Sequence, residues 1–181
     1  MRVGTSGAIA GLALLLSACA VLMTACGYRA LDGRGAFGDD VKTIELRTFD
    51  NESREPGLEQ MIGDAMVEEF GRRAWLEPEL AGSQVSPDLV LRGVVHSATV
   101  RSTSYSSGAL ALEERIEVRM DVDVRRGGSG ELVYQHPDFR MTEVFLSSAD
   151  PQVYASNKEQ ALRRLSSAVA ERVHDELFER F

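Results

Sequence analysis

Two cysteines stand in runs of small residues near the N-terminus, Leu16-Ser17-Ala18-Cys19 and Met23-Thr24-Ala25-Cys26. A thiol that follows an apolar stretch and two small side chains has the layout of a bacterial lipoprotein signal, where the cysteine is acylated and begins the mature chain. Cys19 has the better aliphatic residue three places before it, whereas Cys26 is favoured by the Gly27-Tyr28 that follows. The expected site of lipidation by fatty acyl groups such as palmitate is Cys26, with Cys19 as the alternative. Thiols this close together leave no distant pair to staple a fold.

Other residues that could do chemistry lack the context it needs. Gly33-Arg34-Gly35-Ala36-Phe37-Gly38 spells G-x-G-x-x-G, but a dinucleotide site requires a strand before it and a helix N-terminus after it. Asp39-Asp40 comes next and would repel a phosphate, so the stretch reads as a linker. His96, His136 and His174 are far apart in sequence and have no cysteine nearby, which gives no zinc-ligand spacing. The serines of 102–107 lie in no G-x-S-x-G elbow. Glu113 and Glu114 are adjacent on a predicted strand and point to opposite faces, a poor arrangement for shared acid and base work. No enzyme, metal or cofactor is expected.

These residues belong to three predicted regions. Arg2 and the apolar run Ala8 to Leu16 make residues 1–25 a lipoprotein signal peptide, although Ala8 to Ala25 is nearly long enough to act as an uncleaved membrane anchor. Residues 26–40, rich in glycine and charge, form the lipidated tether. Residues 41–181 form a single domain. The chain has 181 residues, 44% of them hydrophobic, and a formal charge of −8. That composition excludes wholesale disorder, and the acidic balance argues against a nucleic-acid partner.

Within the domain the hydrophobic period switches between 2 and 3.6. Val41 to Phe49 reads as a strand closed by Asp50-Asn51. Leu58, Met61, Ile62, Ala65, Met66 and Phe70 make one stripe of a helix running to about Trp75. Leu89 to Val100 reads as a second strand and Ser102 to Gly108 as a polar turn. In the third strand Leu110, Leu112, Ile116, Val118, Met120, Val122 and Val124 alternate with Glu113, Arg115, Glu117, Arg119, Asp121, Asp123 and Arg125, which predicts one dry face and one wet face. Glycines 127, 128 and 130 form a hairpin loop, and Glu131 to Phe145 returns as a fourth strand interrupted near Pro137. Asp150-Pro151 opens a last helix, with Ala161, Leu162, Leu165, Ala168, Val169, Val173 and Leu177 on one stripe. The expected fold is α+β, a two-layer sandwich of a four-stranded mixed sheet and two helices in the order β-α-β-β-β-α.

A signal ending in Cys26-Gly27-Tyr28, a strand opening Val41-Lys42-Thr43-Ile44, the run from Phe49 to Glu59 that leads into a helix, and Asp150-Pro151-Gln152 before the last helix together resemble the LPS-assembly lipoprotein LptE family over nearly the whole chain. The resemblance implies an outer-membrane lipoprotein, facing the periplasm, that plugs the LptD barrel and helps lipopolysaccharide reach the outer leaflet. Arg115, Glu117 and Arg119 on the wet strand face are then candidates to meet the polar barrel lumen. Family members are thought to bind lipopolysaccharide through basic loop residues, which makes Arg101, Tyr105, Arg125, Arg126 and Lys158 the candidates here. The alternative is a ring-forming periplasmic secretion or assembly lipoprotein with a similar small sandwich.

Overall fold

The computed structural model describes residues 37–38, 41–73, 76–80, 86–105, 107 and 111–179. Cys19, Cys26 and the signal region lie outside the described residues, as do Trp75, Gly108 and Leu110. The elements are β1 (Thr43–Leu46), β2 (Asp50–Asn51), α1 (Leu58–Arg73), β3 (Glu77–Leu80), β4 (Leu89–Tyr105), β5 (Ala111–Arg126), β6 (Leu132–Leu146) and α2 (Pro151–Glu179).

The sheet is mixed. β4, β5 and β6 form an antiparallel meander, while β1 runs parallel to both β3 and β4. The order is β3-β1-β4-β5-β6, and β2 pairs beside β4 at Val94 and Val95. The sheet therefore has six strands and not the expected four, for two local reasons. The single strand expected over Val41 to Phe49 is broken after Leu46, so Asp50–Asn51 pairs separately. β3 was hidden by Pro78, a residue that sheets tolerate at an edge, where its missing N–H costs no ladder bond. Pro78 sits on that edge, opposite Ile44.

The break between β1 and β2 lets Phe49 swing across the sheet, where its ring lies over Gly93. A Cβ on Gly93 would come within 2.1 Å of Phe49 Cε1. Only a residue without a side chain lets the ring reach the core at this point.

Both helices cover the dry face. α1 buries Leu58, Ile62, Met66 and Phe70, and α2 buries Ala161, Leu162, Leu165, Val169, Val173 and Leu177. Against them stand Ile116, Val118, Met120, Val122 and Val124 of β5, all at 0% exposure. The α1 termini complement the helix dipole, with Glu59 in the first turn and Arg72 and Arg73 in the last. Asp150 caps α2, its Oδ1 accepting from Gln152 N at 2.8 Å and Val153 N at 3.3 Å.

Three further expectations need correction. β4 continues to Tyr105 through the stretch expected to turn, because β5 keeps pairing with it past two register shifts. Leu112 shares the sequence parity of the dry face but is 50% exposed. Phe37, read as part of the tether, is buried and packs edge-on against Phe178.

Candidate functional site: the open face of the sheet

On β5 the odd-numbered residues point away from the helices, and their register partners on β4 and β6 point the same way. The resulting face carries charge in nearly every row. Near the β5–β6 hairpin, Asp123 accepts from Arg92 Nη2 at 3.0 Å and from Arg125 Nε at 2.9 Å.

In the middle of the face two bulges meet at Asp121. One is on β4 between Val95 and Ser97, and the other is on β6 around Pro137 and Asp138, where Asp138 has φ 55. Bulges bend a strand and re-aim a side chain. His96 is turned so that Nδ1 lies 2.9 Å from Glu52 and Nε2 lies 3.2 Å from Asp121. An imidazole with a carboxylate at each nitrogen needs both protons, and the hydrogen bond to Glu52, then that to Asp121, raises its pKa. Asp121 also accepts from Asp138 N at 2.8 Å. Asp138 in turn receives Arg140 and Arg119, the latter through Nε at 2.8 Å and Nη2 at 2.6 Å. Those two guanidiniums pull its carboxyl down to about 2. A continuous polar band thus runs from the β2–α1 connection to β6.

Of the three residues expected to face a barrel, Arg119 is therefore already held by Asp138. Glu117 lies between Thr99 and Thr142, half-buried, and Arg115 stands exposed between Arg101 and Val144. The residues expected to bind lipopolysaccharide do not gather at one place. Arg125 and Arg126 are at the β5–β6 hairpin end, where Arg125 also donates to Gly130 O at 3.2 Å and Arg126 to Phe37 O at 2.9 Å. Arg101 and Tyr105 are at the opposite end, and Tyr105 is 60% exposed. Lys158 pairs with Glu55, tying the start of α2 to the loop before α1.

That same end holds other polar anchors. Tyr154 donates to Glu114 at 2.8 Å, and burial followed by this carboxylate pushes its hydroxyl up to about 12. Asn157 Nδ2 donates to Leu146 O at 2.9 Å and Arg164 Nη2 to Val144 O at 3.3 Å. Between them a groove of about 280 Å³ opens beside β6, at the lower limit for a small-molecule pocket. Toward the other end of α2, Glu176 accepts from Tyr134, His136 and Arg172, each at 2.8 Å. Burial would raise its pKa, but these three donors outweigh it and bring it to about 2.

Nothing in the residue pattern signals the His96 clasp, because a bulge places a side chain against the alternation on which the strand reading rests. The β6 bulge did leave one, in Pro137. Among the described residues no group of three or more His, Cys, Asp and Glu side chains could hold a metal ion. No helix among them is long and apolar enough to cross a membrane. What the face offers is charge and hydrogen bonding over a broad surface whose side chains are held by ion pairs, an arrangement suited to recognition.

The family model described as LptE, lipopolysaccharide-assembly, matches residues 41–177. No curated protein matches. Among solved structures, rare lipoprotein B from Shewanella oneidensis is 10% identical with a TM-score of 0.49, covering 74% of this chain and 92% of that one. A minor lipoprotein from Acinetobacter baumannii is 12% identical with a TM-score of 0.48, covering 77% and 92%. Lipoprotein GNA1162 from Neisseria meningitidis is 13% identical with a TM-score of 0.43, covering 74% and 99%.

Proposed function

This chain belongs to the LptE lipopolysaccharide-assembly family, and from that premise we propose that it is an outer-membrane lipoprotein, anchored at Cys26 and facing the periplasm, that plugs and supports the LptD barrel. The observation that carries this reading is the division of the sheet. One face is closed by two helices, while the other is a rigid charged surface crossed by the band from Glu52 to Arg140. A barrel lumen is polar, and a surface whose charges are already oriented loses little side-chain entropy on docking there. The role is structural and assists transport; no bond is made or broken by the chain.

Direct contact with lipopolysaccharide is the finer part of the proposal. Arg125, Arg126 and Lys158 each have a partner within the chain, so a phosphate would have to displace it. Arg101 and Tyr105 are exposed and are the better placed of the five.

The test is capture of the barrel by the anchored full-length chain from detergent-solubilised outer membranes. A single heat-modifiable barrel in equal stoichiometry supports the plug. Recovery of a self-associated ring without a barrel overturns it in favour of a ring-forming envelope lipoprotein.

A further inference from the structure

Arg101 and Arg115 are directly opposite each other in the β4–β5 register, and both are exposed. Among the described residues neither guanidinium makes an ion pair or hydrogen bond, whereas those of Arg92, Arg119, Arg125 and Arg140 on the same face each hold a carboxylate. Two like charges facing each other across a strand pair repel. The fold therefore keeps, at one end of the face, a pair that weakens it.

The surroundings narrow what could resolve that repulsion. Glu113 and Glu117 flank Arg115 two residues away on the same face of β5, so the row reads acid, base, acid. Among the described residues the Glu113 carboxylate receives only Ser104 Oγ at 3.5 Å, and Glu117 influences Arg140 at a distance. Successive same-face residues on a strand are about 7 Å apart. A phosphoryl group with a charge of about −1.5 to −2 would be drawn to the arginines and opposed by both glutamates. A single carboxylate flanked by basic side chains satisfies every member of the row. A protein surface can present that pattern, and a polyanionic glycolipid headgroup cannot.

We infer that Arg101 and Arg115 form a two-guanidinium clamp for an acidic side chain of the protein wall that the open face docks against, with Glu113 and Glu117 taking basic side chains on either side. This rests on the plug reading above. It also moves Arg101 from the lipid-binding set to the protein-binding set, and leaves Arg119 within the pre-oriented band that Asp138 holds.

The experiment uses the full-length chain co-expressed with its barrel. Arg101→Glu with Arg115→Glu should lower barrel capture by at least about tenfold, with the milder Arg101→Gln and Arg115→Gln pair giving a partial loss. Thermal melting of the Gln double variant should match or exceed the wild type, because the repulsion is relieved, whereas the Glu double variant, which again sets two like charges opposite each other, should melt no higher than the wild type. A photoreactive residue placed at 101 or 115 should cross-link to the barrel protein. Wild-type capture equalled by the Glu double variant overturns the clamp alone, as does cross-linking at these positions to lipopolysaccharide and not to protein. A wild-type chain that captures no barrel overturns the plug reading, and the clamp with it.

Discussion

Thr43 and Asp88 hold each other reciprocally: Thr43 Oγ1 donates to Asp88 Oδ2 at 3.2 Å and accepts from Asp88 N at 3.0 Å. Asp88 also takes the backbone N–H groups of Lys42 at 2.8 Å and Thr43 at 3.0 Å. The N–H of Lys42, more than any other influence, lowers its pKa. This contact pins the start of β1 beside the start of β4, parallel neighbours that the chain connects only by way of β2, α1 and β3. Asp88→Ala should cost about 1–2 kcal/mol, because charge-assisted bonds at a partly solvated site are worth less than buried ones. The folded-state pKa is depressed, so this stabilisation is present above the unfolded carboxyl value of about 3.9 and is lost as pH falls below it. Urea melts at neutral and acid pH check both statements, and equal midpoints for wild type and variant at neutral pH would refute them.

Gly93→Ala tests the placement of Phe49. The new methyl would occupy the position of the ring, so Phe49 must leave the core at a cost of about 1–3 kcal/mol. Phe49→Leu in the same chain should recover part of the loss, and a double variant no better than Gly93→Ala would count against the contact.

Two histidines should act on stability in opposite directions. His174 is 3% exposed against Phe70 and Phe178, and its pKa is lowered by burial first and then by the charge of Arg73. The unfolded chain takes up that proton more readily, so its contribution is present above about pH 6.5 and falls away on acidification. His96 has a raised pKa. Its contribution is complete below about pH 6.5 and is lost as pH rises through the folded-state value. His174→Asn should therefore flatten the acid limb of a plot of Tm against pH, and His96→Gln the limb that begins at about pH 6.5 and runs to higher pH. If either variant changes the opposite limb, the assignment fails.

Ile116, at 0% exposure in the core on the dry face of β5, should cost roughly 2–5 kcal/mol on truncation to Ala. Glu68, exposed on α1, should cost less than about 0.5 kcal/mol. Denaturation midpoints of Ile116→Ala and Glu68→Ala that coincide would contradict the two-layer packing.

Acylation at Cys26 predicts that Cys26→Ser stops incorporation of labelled fatty acid and that Cys19→Ser leaves it intact. The reverse pattern would move the anchor to Cys19.

The hydrophobic periods were sufficient to read both helices, the long meander and the dry face of β5, because each of these buries one continuous stripe. They could not reveal β3, whose four residues are too few to establish a period and include a proline. Nor could they reveal the division of β1 from β2, which depends on Phe49 finding a space left open by a glycine more than forty residues later. On the open face, residue types were legible and pairings were not. Arg101 and Arg115 looked like members of different surfaces until the register set them side by side, and Arg119 looked available until the bulge at Asp138 brought a carboxylate to it.

The closing of the β6 edge bears on how the chain survives before it meets a partner. β6 is the last strand of the sheet, and an exposed strand fifteen residues long is an invitation to a second molecule. Arg164 and Asn157 already engage the carbonyls of Val144 and Leu146, Pro137 has no N–H to donate, and the left-handed turn at Asp138 breaks the repeat between them. An incoming strand would find no uninterrupted row of backbone groups from one end of β6 to the other. Copies of the chain at high local concentration can therefore collide edge to edge without zipping into a shared sheet, and the population stays dispersed.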